Sequence, residues 1–382
     1  MSAPGSSSSV QWKHSDYLDS ALFLEFDKCR VDDVCARVEG NLYSCEECEY
    51  AMKALAVQAY TAVKSGDAIL VAEFLDCMAC ECIILSLKKH AARSQQVATY
   101  ALSCIVCLSS YSLDLNEYFT ELEAMDIILF TISMHMGDEY VSELGTAAAV
   151  QLAAAAIRNS SALADGCDIM SQVGVFGLNL RNKRAAYVAM NICYVYSLLA
   201  QAVNVKKLVD CGACDLIVTL VRAHESNIDI VVPGTVALCN LASLSFETRE
   251  ALGACGACSL APRLMRRHPR CVPVLLGGCE LIMHLGTAHI NTLIHSLFHL
   301  LHYICFNTTL SAVAIKYRAP CRGRCMLTAP ARPRDPPAGR AIRSRSVLQR
   351  RTAHGVGRPG SACTEDTAPR AWGRARDKQR VG

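Results

Sequence analysis

Read at a step of about 44 residues, the chain repeats itself. The pieces CIVCLSS (104–110), AAVQLAA (148–154), CYVYSLL (193–199), ALCNLAS (237–243) and LIMHLGT (281–287) share one apolar pattern. Their fourth residues, Cys107, Gln151, Tyr196, Asn240 and His284, lie 44, 45, 44 and 44 apart. A fixed period in the 40s is the signature of stacked helical repeats, in which each unit buries its apolar face only against its neighbours.

A second ladder runs beside the first. LDCMACECII (75–84), LEAMDIILF (122–130), ADGCDIM (164–170), VDCGACDLI (209–217) and GACGACSLA (253–261) each place a small-residue break before an apolar run. Their anchors Cys80, Met125, Cys167, Cys214 and Cys258 are 45, 42, 47 and 44 apart. Glycine and small residues allow one helix to end and the next to begin in a tight turn.

At these residues the chain resembles the armadillo family, whose third helix carries an ALxNLA pattern followed by an EAGAI-like turn. The matching stretches are ALCNLA (237–242) and ACGAC (254–258). The resemblance spans residues 45–305, about five repeats and a degenerate first one near 50–64. It implies an all-α, right-handed solenoid of about five to six three-helix repeats, whose third helices line a concave groove. On that resemblance Gln151, Tyr196, Asn240 and His284 are expected to line the groove, while Cys107 is expected to pack. The family's Asn, which bonds the backbone of a bound peptide, carries over to Asn240 alone. Importin-alpha members add a Trp four residues before that Asn; here position 236 is Val, and the only tryptophans are Trp12 and Trp372. The chain therefore departs from a conventional import adaptor, although an adaptor for basic peptides stays an alternative.

With 52% apolar residues and 19% charged, 382 residues can bury a large core. The apolar stretch 185–203 is long enough to span a bilayer, but it contains Asn191, Ser197 and Gln201 and lies on the ladder, so a buried helix is expected there. The N-terminus has no basic region followed by an apolar run, so no secretory signal is expected.

Twenty-two cysteines raise a second alternative, a Cys/His-rich metal-binding protein. CxxC occurs at 45/48, 77/80, 104/107, 211/214 and 255/258. The pairs recur at repeat spacing, which would hold them one repeat apart instead of around one ion. They read as small hydrophobes filling the core, with no metal and no cofactor, in the reducing cytoplasm or nucleus. His295, His299 and His302 share a helical face, but the outer two are about 10 Å apart along the axis, which fits a polar stripe. No phosphate-binding loop, dinucleotide fingerprint, HExxH or GxSxG motif is present, so an enzyme and a small-molecule substrate are not expected.

Charge divides the chain. Residues 316–382 hold 17 Lys or Arg against 4 Asp or Glu and seven of the twelve prolines, which leaves about −10 for residues 1–315. Residues 1–20 and 316–382 are expected to be disordered, and 21–315 to form the repeat domain. The Arg-rich tail could bind nucleic acid or act as a nuclear address, or fold back on the acidic body. The reading preferred is translation past a missed splice site. The expected function is a non-catalytic scaffold whose groove binds a protein or peptide, a basic one being an option left open by the acidic body, with no membrane insertion and no nucleic acid outside the tail.

Overall fold

In a computed structural model of the chain, which describes residues 18–286 other than 19, 27 and 181, helices follow one another in threes. The first triplet is α1 (Ser20–Phe26), α2 (Val31–Asn41) and α3 (Cys45–Ser65). The second is α4 (Ala68–Asp76), α5 (Ala79–His90) and α6 (Gln95–Tyr111), and the third α7 (Leu113–Glu121), α8 (Ala124–Met134) and α9 (Glu139–Ala155). Then come α10 (Ile157–Asp165), α11 (Cys167–Asn179) and α12 (Lys183–Leu199), followed by α13 (Val205–Asp210), α14 (Ala213–Ala223) and α15 (Ile228–Leu244). The last described triplet is α16 (Phe246–Ala254), α17 (Ala257–Arg267) and α18 (Val272–Gly286). No strand occurs among the described residues. The chain is an all-α solenoid of armadillo-type repeats. The tail, Trp12, Trp372 and the histidines after His284 lie outside the described residues.

Local chemistry explains where the third helices begin. Five of the six open on a short polar residue that accepts a backbone amide: Ser44 from Glu47 at 3.3 Å, Ser94 from Val97 at 3.1 Å, Asp138 from Val141 at 2.8 Å, Asn182 from Arg184 at 3.0 Å and Asn227 from Asp229 at 3.1 Å. Each such cap is worth about 1 kcal/mol, because it satisfies an amide that the helix itself cannot.

Between first and second helices, four repeats turn through one left-handed residue: Met78 (φ 54°), Glu123 (φ 58°), Gly212 (φ 73°) and Gly256 (φ 86°). For a residue with a Cβ that conformation costs about 1–2 kcal/mol. Met78 is 38% exposed. Met78→Gly should therefore raise stability by up to about 1 kcal/mol, the gain being trimmed by glycine's larger unfolded-state entropy. Urea denaturation checks this; a lower midpoint would mean that the Met78 side chain matters more than its backbone strain.

The fourth repeat lacks this turn, since Gly166 has φ −92° and joins α10 directly to α11. One residue is thereby lost. The second ladder nevertheless stays in step: Cys167 is buried between buried Gly166 and exposed Asp168, as Met125 is between Ala124 and Asp126 and Cys214 between Ala213 and Asp215.

Third helices pack side by side in chain order, and second helices form a parallel row behind them. The seventh residue of each third helix from α6 onward is small: Ala101, Gly145, Ala189, Gly234 and Gly278. A Cβ at Gly234 would come within 2.2 Å of Val221 Cγ2 on α14, and one at Gly145 within 2.5 Å of Ile132 Cγ1 on α8. Small residues here let the second and third helices of one repeat approach closely. Repeats are also clasped to each other by histidines at the ends of second helices. His90 Nε2 donates to Leu42 O at 2.7 Å and His268 Nε2 to Glu225 O at 2.7 Å, while His135 Nε2 donates to Ala91 O.

The apolar stretch 185–203 falls largely within α12, between α9 and α15. Among the described residues no helix is long and apolar enough to cross a membrane.

Candidate functional site

A solenoid offers function through the row of its third helices, and the ladder residues lie on that row. Cys107, Gln151, Asn240 and His284 are each the thirteenth residue of their helix, and Tyr196 is the fourteenth. Gln151, Asn240 and His284 are half-buried, as groove-lining residues would be, and Cys107 is buried among apolar neighbours.

Tyr196 does not line this face. The link after α12 is lengthened by a 3-10 turn, Ala202–Asn204, ahead of the shortened α13, so α15 starts 45 residues after α12 where α12 starts 44 after α9. The sequence ladder placed the longer step one repeat too early. A one-residue slip turns a side chain about 100° around a helix, and Val195 takes the equivalent position. Tyr196 is 0% exposed. Its hydroxyl donates to Cys167 O at 3.2 Å, is paired with Ser171 Oγ and lies 3.9 Å from Cys211 Sγ. Burial pushes its phenol well above the ordinary value.

Asn240 is held from below. Its Nδ2 donates to Ser197 O of α12 at 3.1 Å, and its Oδ1 has no hydrogen-bond partner among the described residues. The bond fixes the amide's orientation and leaves an acceptor on a partly exposed helix face. Towards the C-terminal repeats the same row exposes apolar side chains, Val236 at 40% and Leu276 at 59%.

A polar cluster at the N-terminal ends of α9 and α12 escaped the sequence analysis. Buried Arg184 pairs with buried Glu143, and its Nε lies 3.5 Å from Glu139 Oε1. The guanidinium stacks 3.7 Å from the centre of the Tyr140 ring. Asn182 donates to Glu139, and Gln95 to Asp138. Beneath them Asn191, fully buried, donates to Glu143 O at 3.2 Å and to Thr146 Oγ1 at 3.0 Å. Desolvation raises the Glu143 carboxyl against the opposing pull of Arg184. Partly exposed Asp138 and Glu139 and exposed Asp229 and Glu280 leave the third-helix row more acidic than basic, with Lys183 its exposed cation near this end.

Among the described residues most cysteines are buried in the core or packed against it. Burial pushes Cys107, Cys193 and Cys214 up to about 12. Among the described residues the CxxC pairs do not gather around a common point. One cross-repeat group does, formed by Cys167, Asp168 and Cys211. The Cys211 thiol is drawn below its ordinary value, chiefly by hydrogen bonding from Cys167 against the effect of burial, with Ser171, Tyr196 and the Ala213 amide adding to it.

No family model and no curated protein matches this chain. Solved structures do match. A designed armadillo repeat protein in complex with the peptide (KR)4 is 16% identical, with TM-score 0.52 over 67% of this chain and 99% of that one. A computationally designed armadillo repeat protein for modular peptide recognition is 17% identical, with TM-score 0.54 over 66% and 99%. An engineered protein is 16% identical, with TM-score 0.53 over 68% and 97%. At these identities the likeness establishes the fold.

Proposed function

We propose that this protein is a non-catalytic scaffold that binds an extended, basic peptide segment of a protein partner along its third-helix row. The observation that carries this reading is Asn240: half-buried, oriented by Ser197 and holding an unused acceptor where a peptide amide could reach it. Gln151 and His284 occupy the same helical position two repeats before and one after. The acidic bias of the row, and the charge of about −10 over residues 1–315, favour a basic ligand. Designed armadillo repeat proteins of this fold recognise peptides, one of them in complex with (KR)4, which supports a peptide ligand here.

Fluorescence anisotropy with labelled (KR)4 tests the reading. The peptide should bind, more weakly as salt rises. Asn240→Ala should weaken it by about 0.5–1.5 kcal/mol, the net worth of one hydrogen bond, or roughly two- to twelvefold in Kd. The bond to Ser197 means that some stability will be lost as well, so melting is measured beside affinity. Unchanged affinity with a lowered melting temperature would make Asn240 a packing residue and remove the basis for the groove.

A further inference from the structure

We propose that Cys167, Asp168 and Cys211 form a binding site for a thiophilic divalent metal of the zinc type, clasping the fourth repeat to the fifth. The two Sγ atoms and a carboxylate oxygen of Asp168 all lie within 4.8 Å of one another. Around a tetrahedral zinc ion, with Zn–S of about 2.3 Å and Zn–O of about 2.0–2.2 Å, donors stand about 3.5 Å apart. The group is therefore within a side-chain rotation of closing on an ion. Two sulfurs and one carboxylate select zinc and its soft relatives over magnesium or calcium, which take oxygen.

The position of the site is also informative. Cys167 and Asp168 open α11, and Cys211 caps the C-terminus of α13, the six-residue helix behind the 3-10 turn. This is where the repeat is most irregular: the left-handed turn is missing before α11 and the first helix is cut short after α12. A metal bridging the two would tie the fourth repeat to the fifth at that irregular junction. Partners for a second shell are in place, because Ser171 Oγ donates to Cys211 O at 2.9 Å and Tyr196 OH lies 3.9 Å from Cys211 Sγ. Such groups orient ligands and tune affinity. Cys167 is buried and Asp168 exposed, so an ion could enter from the solvent side and keep a water as its fourth ligand. Lys207, nearby, is already paired with Asp165. The sequence pattern hid the group because its two cysteines belong to different repeats, 44 residues apart, and only one of them to a CxxC pair.

The test is a cobalt(II) titration of the full chain, reduced beforehand, followed through thiolate-to-cobalt charge-transfer absorption and displaced by zinc. One equivalent should bind. Cys167→Ser and Cys211→Ser should each abolish the band. Asp168→Asn, at an exposed position with no packing role, should weaken binding roughly tenfold or more while the far-ultraviolet dichroism stays unchanged. A band that survives Cys211→Ser belongs to other thiols and overturns the proposal. So does an Asp168→Asn chain that binds like the parent, since the carboxylate would then not be a ligand.

Discussion

Arg184→Met should destabilise the protein by about 3–5 kcal/mol, far beyond what a surface ion pair is worth. Glu143 is 6% exposed and Arg184 6%. Removing the guanidinium strands a buried carboxylate whose ionised form burial already disfavours. It also strips the Tyr140 ring of its stacked cation and Glu139 of one partner. The double variant Arg184→Met/Glu143→Leu should recover most of the loss, because two apolar side chains of similar volume need no compensation in the interior. Because a solenoid's stability is carried by neighbouring repeats, the effect should concentrate in α9 and α12, and amide hydrogen exchange there should report it beside urea denaturation. If the single and double variants were equally destabilised, the cost would lie in lost volume and the ion pair would be dispensable.

How much of this was legible in the sequence differs between fold and face. The period of about 44 was visible because an apolar core must recur wherever a repeat stacks. The rotational register was not, because an apolar motif read as a block tolerates a shift of one residue, and one residue is about 100° of helix. Tyr196 was misplaced for that reason. Polar punctuation would have corrected the error. The caps Ser94, Asp138, Asn182 and Asn227 are spaced 44, 44 and 45, which puts the extra residue after α12, where the structure has it. The histidine clasps were also within reach, since His90 and His135 are 45 apart, one repeat step. The Glu143–Arg184 pair and the Cys167–Cys211 group had no local signal, since their members stand 41 and 44 residues apart on different repeats.

Tyr196 separates the two registers by experiment. As a core residue, fully buried between α11, α12 and the α13–α14 turn, its replacement by Ala should cost about 3–5 kcal/mol through lost burial and the cavity left behind. Tyr196→Phe keeps the ring and removes only the hydroxyl that bonds Cys167 O, so about 1 kcal/mol should be lost. Neither change touches the exposed third-helix row. At temperatures where both variants remain folded, (KR)4 affinity should stay within twofold of the parent, a difference of about 0.4 kcal/mol. The opposite pattern, a stable Tyr196→Ala chain with sharply weakened peptide binding, would return Tyr196 to the groove and place the longer step before α12. Gln151, Tyr196 and Asn240 would then share one helical position, 45 and 44 residues apart, and the row would run unbroken through the fourth repeat.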